Sequence, residues 1–411
     1  MERRPIYLVL TTYFPTPSSW RCAYVYDQVQ AIRRARPNWR IVVLNLDSPK
    51  DYVYEGVTVW GGFHRIAFSG SAFFPRHYYT CNGRSLVACL SEHGVDCADI
   101  RVIHAHLPTN AALTLTVRKA FPNAVILAQH HHVWYFAANG LFRTFKASIG
   151  YRFQRWAAEA ADAHISISNA VTETLLNFPK ATHYRDWPPM CAAMKTLRLL
   201  RPARPKSVYL LHNGVDTRLF SPPAAKKPCE TFTIGCVANF ISLKGHLILL
   251  KALAALGEQA RAWRLRLIGS GPTQEACRRF IAGGGVKCAV SFESEVTHDQ
   301  LPNFYRTLDL FVLPSRFEAF GCVFTEAWAC GVPFIAGAGQ GMDDLIPESE
   351  RDIWLCDPSD PTDLAKKILH VYHNRPSQHL SSPIDIDVLI PRFLDWLEKR
   401  WPFVIPPDTK R

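Results

Sequence analysis

"LDLFVLPSRFEAFGCVFTEAWACGVPFIAG" spans residues 308–337. Its first seven residues form an apolar, β-rich run that stops at Pro314. "GCVFTEAWACG" (321–331) has helical spacing, is bounded by glycines, and opens at Gly321. "VPFIAG" (332–337) is a second apolar run. Strand, helix and strand in so short a span read as one βαβ unit. Apolar runs without polar alternation imply strands covered on both faces, as in a parallel sheet between helices.

The same rhythm extends in both directions. Towards the C-terminus "DIWLCD" (352–357) reads as a further strand. Upstream, "TFTIGCVAN" (231–239), "WRLRLIGSG" (263–271) and "AVSFES" (289–294) read as strands, separated by "HLILLKALAAL", "TQEACRRFIAG" and "HDQLPNFYRT" as helices. An earlier series holds "IYLVLTT" (6–12), "IVVLNL" (41–46), "RVIHAH" (101–106), "AVILAQ" (124–129), "AHISIS" (163–168) and "SVYLLHNG" (207–214). Helical patterns at 24–35 and 141–161 lie between them. Two α/β domains follow, each a doubly wound, Rossmann-like sheet, with a cleft between them. "FSPPAAKKPCE" (220–230) has a linker's composition. The expected division is 1–222, 228–382, and a C-terminal helix within 383–411 that crosses back to the first domain.

The totals agree. The chain has 411 residues, 48% hydrophobic and 20% charged, a globular balance too long for one core. A net charge of +12 suits anionic partners, although a basic solvated surface is the commoner meaning. Twelve cysteines stand singly, without any C-x-x-C, and read as buried reduced thiols. "MERRPIYLVLTTYF" carries too short an apolar run for a leader or a membrane span. A cytoplasmic protein is expected. The basic, proline-flanked segment 184–207, with Trp187, is a candidate for peripheral contact at the inner membrane; a solvated insertion is the blander reading.

Several residues suggest chemistry at the carboxyl ends of strands, where ligands bind in such sheets. Lys244 in "VANFISLKGH" precedes a helix N-terminus, an unfavourable place for a cation unless an anion is held there. "LIGSGP" (267–272) places Gly269 and Gly271 in a turn that permits close approach. Glu318 lies before the helix of the opening stretch, and Glu326 about a turn and a half inside it. Amides at the helix start suit a phosphate, and carboxylates beside it suit the hydroxyls of an attached polyol. Two glutamates early in a helix are also simply favourable to its dipole. "AQHHHVW" (128–134) and "HAH" (104–106) are poor chelating geometry on strands, so no metal is expected.

"EAFGCVFTEAWACGVPFIAG" resembles the E-x7-E region of retaining glycosyltransferases of the GT-B fold, in the large family four group. "HNGVD" with Phe220, "VANFISLKGH", "LIGSGP" and "GAGQGMDDLI" resemble further motifs of that family in the same order. "YFPTPSSWRCAYVYDQVQAI", "VIHAH", "ILAQH" and "ISISNAV" resemble its N-terminal half, and the likeness covers most of 5–375. The resemblance implies a donor site in which Lys244 neutralises the diphosphate, Glu318 contacts sugar hydroxyls and Glu326 the ribose. Amides of Ala319, Phe320, Gly321, Cys322 and Val323 would line the sugar and diphosphate, and His130 would lie near the transferring sugar. It implies a hexose-type donor, a saccharide or lipid-linked acceptor, retention of configuration, and no cofactor or metal beyond the nucleotide-diphosphate sugar.

The chain departs from the pattern at three places. Asn239 and the residues after it lack the arginine that usually accompanies Lys244; Arg316 is the candidate replacement. Cys22 stands where a glycine is usual, and Ala319 follows the first glutamate in place of glycine. A noncatalytic module of this fold, binding a nucleotide sugar or a protein partner, is the alternative. No motif supports nucleic-acid binding.

Overall fold

The structure is a computed structural model that describes residues 4–17, 19, 22–63, 75–131, 152–176, 202–224 and 231–404. Of the helical pattern at 141–161 only 152–161 is described, with 152–160 helical, and residues 184–201 with Trp187 lie outside the described residues. The chain divides into two compact units. The first is Met1–His212 with Asp387–Arg411; the second is Asn213–Ile386.

In the first unit the strands are β1 (Ile6–Thr11), β2 (Arg40–Asn45), β3 (Tyr52–Tyr54), β4 (Val57–Trp60), β5 (Ile100–His106), β6 (Val125–His130), β7 (Ala163–Ser166) and β8 (Val208–Leu210). They form one sheet in the order β3-β4-β2-β1-β5-β6-β7-β8. All pairs are parallel except the hairpin β3–β4. Helices α1 (Ala23–Ala35), α2 (Pro75–Glu92), α3 (Pro108–Leu115) and α4 (Asn169–Leu176) fall between the strands. The hairpin turns at Glu55–Gly56, both with positive φ (44° and 76°), the geometry a two-residue hairpin turn needs.

The two faces of this sheet differ in chemistry. Leu8, Leu10, Ile103, Ala105, Ile126 and Ala128 pack with Leu86 and Leu90 of α2 and Ala111 and Leu113 of α3. Register places Tyr7, Val9, His104, His106, Leu127 and Gln129 on the opposite face.

The second unit contains β9 (Thr233–Val237), β10 (Arg264–Ile268), β11 (Ala289–Glu293), β12 (Leu310–Leu313), β13 (Phe334–Gly337) and β14 (Leu355–Cys356). The sheet order is β11-β10-β9-β12-β13-β14, parallel throughout. Renumbered from its own first strand this is 3-2-1-4-5-6, the Rossmann order. Its helices are α5 (His246–Leu256), α6 (Gln274–Ala282), α7 (Leu301–Tyr305), α8 (Cys322–Ala329), α9 (Arg351–Trp354) and α10 (Pro361–Asn374). Buried Leu249, Leu250, Ala252, Leu253 and Leu256 give α5 its core-facing stripe.

The expectation that 352–357 is all strand is corrected here. Arg351–Trp354 is helical, and only Leu355–Cys356 pairs with β13. Trp354 Nε1 donates to Glu350 Oε2 at 3.0 Å, a contact between residues four apart that favours the helical turn.

Helix α11 (Ile386–Arg400) packs with the first unit, to which Asp387–Arg411 belongs. Its apolar stripe buries Ile390, Phe393, Leu394 and Leu397. Phe393 lies 5.7 Å from the His104 ring and 5.3 Å from Tyr209. Arg34 at the end of α1 pairs with Asp387 at 2.6 Å, and Arg36 just beyond it bridges Asp395 at 2.8 Å and Glu398 at 2.6 Å.

Candidate functional site

In the second sheet the strand order reverses between β9 and β12, so the loops leaving them are neighbours. The β9 loop carries Lys244 and the β12 loop carries Glu318. The Lys244 ammonium contacts Glu318 Oε2, with the two side chains 23% and 17% exposed. Ser315 Oγ donates to the same oxygen at 3.4 Å. Arg316 N donates to Leu243 O at 2.8 Å, joining the loops through their backbones. Gly245 makes this approach possible: at φ 72°, a Cβ there would lie 2.1 Å from Pro314 O.

The glycine turn after β10 closes on the same loop. Phe240 N donates to Ser270 O at 2.8 Å, and a Cβ on Gly269 would meet Ala238 O at 2.1 Å. A Cβ on Gly271 would also press on Phe240 O, at 2.6 Å. Phe240 stacks on His246 with ring centroids 4.0 Å apart. Asn239 and Arg316 are exposed.

Gly321 is the cap preceding α8 at φ 86°, and the helix itself begins at Cys322, one residue later than its glycine suggested. A Cβ on Gly321 would press on Glu318 Cγ at 2.8 Å. Ala319 and Phe320 have buried side chains, while Cys322 and Val323 are partly exposed. Gly341 N donates to Glu318 O at 3.2 Å and fixes the loop from the far side.

Glu326 lies on the second turn of α8, 8% exposed. The Tyr305 hydroxyl donates to Glu326 Oε2 at 2.8 Å, and His298 Nε2 stands 3.7 Å from Oε1. Burial pushes the Tyr305 hydroxyl's pKa well up, so it stays protonated and remains the donor. The sequence reading had not singled out Tyr305, His298 or Ser315. The contacts of Tyr305 and His298 join separate elements, which no local pattern marks, whereas Ser315 reaches Glu318 within one loop.

One cation, two carboxylates and a helix start thus gather at the carboxyl ends of β9 and β12. Such a set suits an anionic group flanked by hydroxyls.

In the first unit His130 ends β6, fully buried, its Nδ1 2.9 Å from His164 Nδ1. His106 Nδ1 lies 3.0 Å from His131 Nε2, and the Tyr7 hydroxyl is 2.7 Å from His104 Nδ1. Burial pushes the His104 pKa down to about 4 and that of His106 well below its usual value. Among the described residues no group of three His, Cys, Asp or Glu is arranged to hold a metal ion. Cys22 caps α1 at φ 67°, in the left-handed region.

Residues 218–382 match the family model described as "Glycosyl transferases group 1". Lys244, Gly269, Gly271 and the whole stretch from Arg316 to Glu326 fall inside this matched region; His130 falls outside it.

One relative is the GDP-mannose-dependent alpha-(1-6)-phosphatidylinositol monomannoside mannosyltransferase of Mycobacterium tuberculosis. It is 32% identical over 162 residues, which are 36% of this chain and 42% of that protein. Another is the lipopolysaccharide core biosynthesis mannosyltransferase LpsB of Rhizobium meliloti, 31% identical over 163 residues, 36% of this chain and 45% of the relative. The chain thus spans less than half the length of these curated relatives.

Solved structures match over nearly the whole chain. Sucrose-phosphate synthase from Thermosynechococcus elongatus superposes with a TM-score of 0.67 at 18% identity, covering 97% of this chain and 98% of that one. Anabaena Alr3699/HepE, in complex with UDP and glucose, gives 0.65 at 16% identity, covering 95% and 99%. The fold is GT-B, two Rossmann-like domains in one chain. No helix among the described residues is long and apolar enough to cross a membrane.

Proposed function

We propose that this protein is a retaining, metal-independent glycosyltransferase. It moves a hexose-type sugar from a nucleotide-diphosphate sugar to a saccharide or lipid-linked acceptor in glycoconjugate or cell-surface polysaccharide synthesis. The observation that carries this reading is the meeting of Lys244 and Glu318 at the strand-order reversal of a group 1 domain. The curated relatives' names specify GDP-mannose or mannosyl transfer, and HepE holds UDP, so a nucleoside diphosphate is the expected handle.

In the proposed mechanism Lys244 and the α8 amides from Ala319 to Val323 hold the diphosphate, with Asn239, Gly269, Gly271 and Arg316 around it. Negative charge grows on the diphosphate as the sugar leaves, and a fixed cation and oriented amides stabilise that charge more than the ground state. Glu318 accepts from sugar hydroxyls, and Glu326 accepts from the ribose. The Tyr305 bond holds the Glu326 carboxylate in one orientation beforehand, which reduces the ordering cost on binding. His130 contacts the transferring sugar, and the departing diphosphate helps deprotonate the acceptor hydroxyl.

Incubation with a panel of nucleotide sugars and acceptor extracts tests this reading. Nucleoside diphosphate release that depends on acceptor is expected, and Glu326→Ala lowers kcat/KM at least about 100-fold through loss of charge-assisted bonds to the donor. Nucleotide binding without turnover by any acceptor would favour the noncatalytic module. Failure to bind any nucleotide sugar would remove the transferase reading and leave only a module that binds a protein partner.

A further inference from the structure

The loop after β12 holds Glu318 in one place. The Glu318 carbonyl accepts from Gly341 N at 3.2 Å, and Ser315 Oγ donates to Glu318 Oε2 at 3.4 Å. Its Cγ lies 2.8 Å from where a Cβ on Gly321 would fall, so the side chain packs along the glycine backbone. Arg316 N donates to Leu243 O at 2.8 Å and ties this loop to the one that carries Lys244. The Lys244 ammonium contacts the same Oε2, and both side chains are mostly buried. The carboxylate therefore stands one ammonium's width from whatever else Lys244 holds.

An ammonium has three N–H donors, so Lys244 can hold Glu318 and a phosphate together. In that case carboxylate and phosphate repel across the ammonium, with little water between them to screen the charges. If the phosphate displaces Glu318 instead, a mostly buried carboxylate loses its partner. The sign is the same in both cases: Glu318 weakens anion binding at Lys244. An intact nucleotide sugar offsets this cost, because hydroxyls on the sugar donate to the carboxylate. A free nucleoside diphosphate brings no hydroxyl to that point, and its terminal phosphate carries additional negative charge.

We propose that Glu318 is a specificity-determining residue that makes the site prefer the intact nucleotide sugar to the nucleoside diphosphate left after transfer. The inference rests on the reading above that Lys244 holds the diphosphate and Glu318 faces the sugar. It gives Glu318 a second task. Once the sugar has gone, the carboxylate opposes retention of the product and speeds its dissociation.

Calorimetric titration of the full chain tests this with two probe pairs, GDP against GDP-mannose and UDP against UDP-glucose. Glu318→Gln removes the charge and keeps the shape. It is expected to tighten the free diphosphate about tenfold, while the nucleotide sugar, deprived of charge-assisted bonds, binds no more tightly than before. The preference for the nucleotide sugar thus falls about tenfold or more. Glu318→Asp keeps the charge, and its diphosphate affinity stays near the wild-type value. A purely structural role would weaken both members of a pair together. Diphosphate affinity that is unchanged or lower in Glu318→Gln overturns the proposal, as does an equal gain in Glu318→Asp. If Glu318→Gln does not fold by circular dichroism, Glu318→Ala carries the same prediction. Wild-type protein that binds neither pair removes the donor-site reading and this inference with it. Binding in which the diphosphate is indifferent to the charge at residue 318 removes this inference alone.

Discussion

Cys22 holds a backbone conformation that its side chain disfavours. At φ 67° and ψ 29° it sits in the left-handed region at the start of α1, where the sequence resemblance places a glycine. The Cβ clash in that region costs a non-glycine residue about 1–2 kcal/mol. Cys22→Gly removes the clash but frees the unfolded chain, so a net gain of about 0.5–1 kcal/mol is expected from urea denaturation midpoints. A loss of stability would mean that contacts of the thiol outweigh the strain. Residues of this kind were legible from the chain alone because they break a local rule. Lys244 stands at the wrong end of a helix, and Glu318 and Glu326 interrupt an apolar run. Tyr305 breaks no rule: it is one aromatic residue in an amphipathic helix. Only packing of α7 against α8 sets its hydroxyl on Glu326, 21 residues further along.

Elements were legible where composition and punctuation agreed. The β-rich runs at 263–271, 308–314 and 332–337 end at glycine or proline, and each became a strand in a parallel sheet. Residues 352–354 misled because Ile353 and Trp354, followed by Leu355, suit a buried strand, while the Glu350–Trp354 bond across one helical turn decided otherwise. The β3–β4 hairpin had a signal in "YVYEGVTVW", two alternating runs around Glu-Gly, that the reading passed over. Loop contact between β9 and β12 could not be read from spacing, since it depends on which strands become neighbours. Gly245 tests it. Gly245→Ala drives a Cβ into Pro314 O and should cost about 2–4 kcal/mol while weakening nucleotide binding about tenfold or more. Gly257→Ala is the control. Its φ is 54° and ψ −128°, a conformation that side chains avoid, with nothing within 4 Å of the added Cβ, so backbone strain of about 1–3 kcal/mol is expected, with unchanged nucleotide affinity. Calorimetric titration with UDP and GDP reads both; equal effects would mean that the loop contact does not shape the site.

At the scale of the whole molecule the two units differ in what acid does to them. His104, His106 and His164 are neutral in the folded first unit because burial disfavours their charged forms. The second unit has His246, also pushed down to about 4. An unfolded chain protonates these rings at the usual 6.5, so below that pH it binds more protons than the folded state. Their contribution is therefore complete above pH 6.5 and is lost as pH falls towards 4 and 3. His104 and His164 each cost about 3 kcal/mol by about pH 4.5, and His106 adds in the same direction, so the first unit is expected to be the weaker partner in acid. Hydrogen exchange should show amides of β5 to β7 losing protection between neutral pH and pH 5, ahead of β9, β10 and β12. Equal loss across both sheets would exclude this origin. Composition gave no warning of it: sixteen histidines are counted in the sequence, but only strand register shows which of them share an apolar face.

Helix α11 also bears on the order of synthesis. A ribosome delivers chains from the N-terminus, and domains usually fold as they emerge. Here residues 213–386 form an unbroken unit, whereas the first unit receives Phe393 against His104 and Tyr209, and Glu398 against Arg36, only from the end of the chain. The unit translated first is thus completed last, and His104 and Tyr209 lack their Phe393 neighbour while the second unit is made and folded.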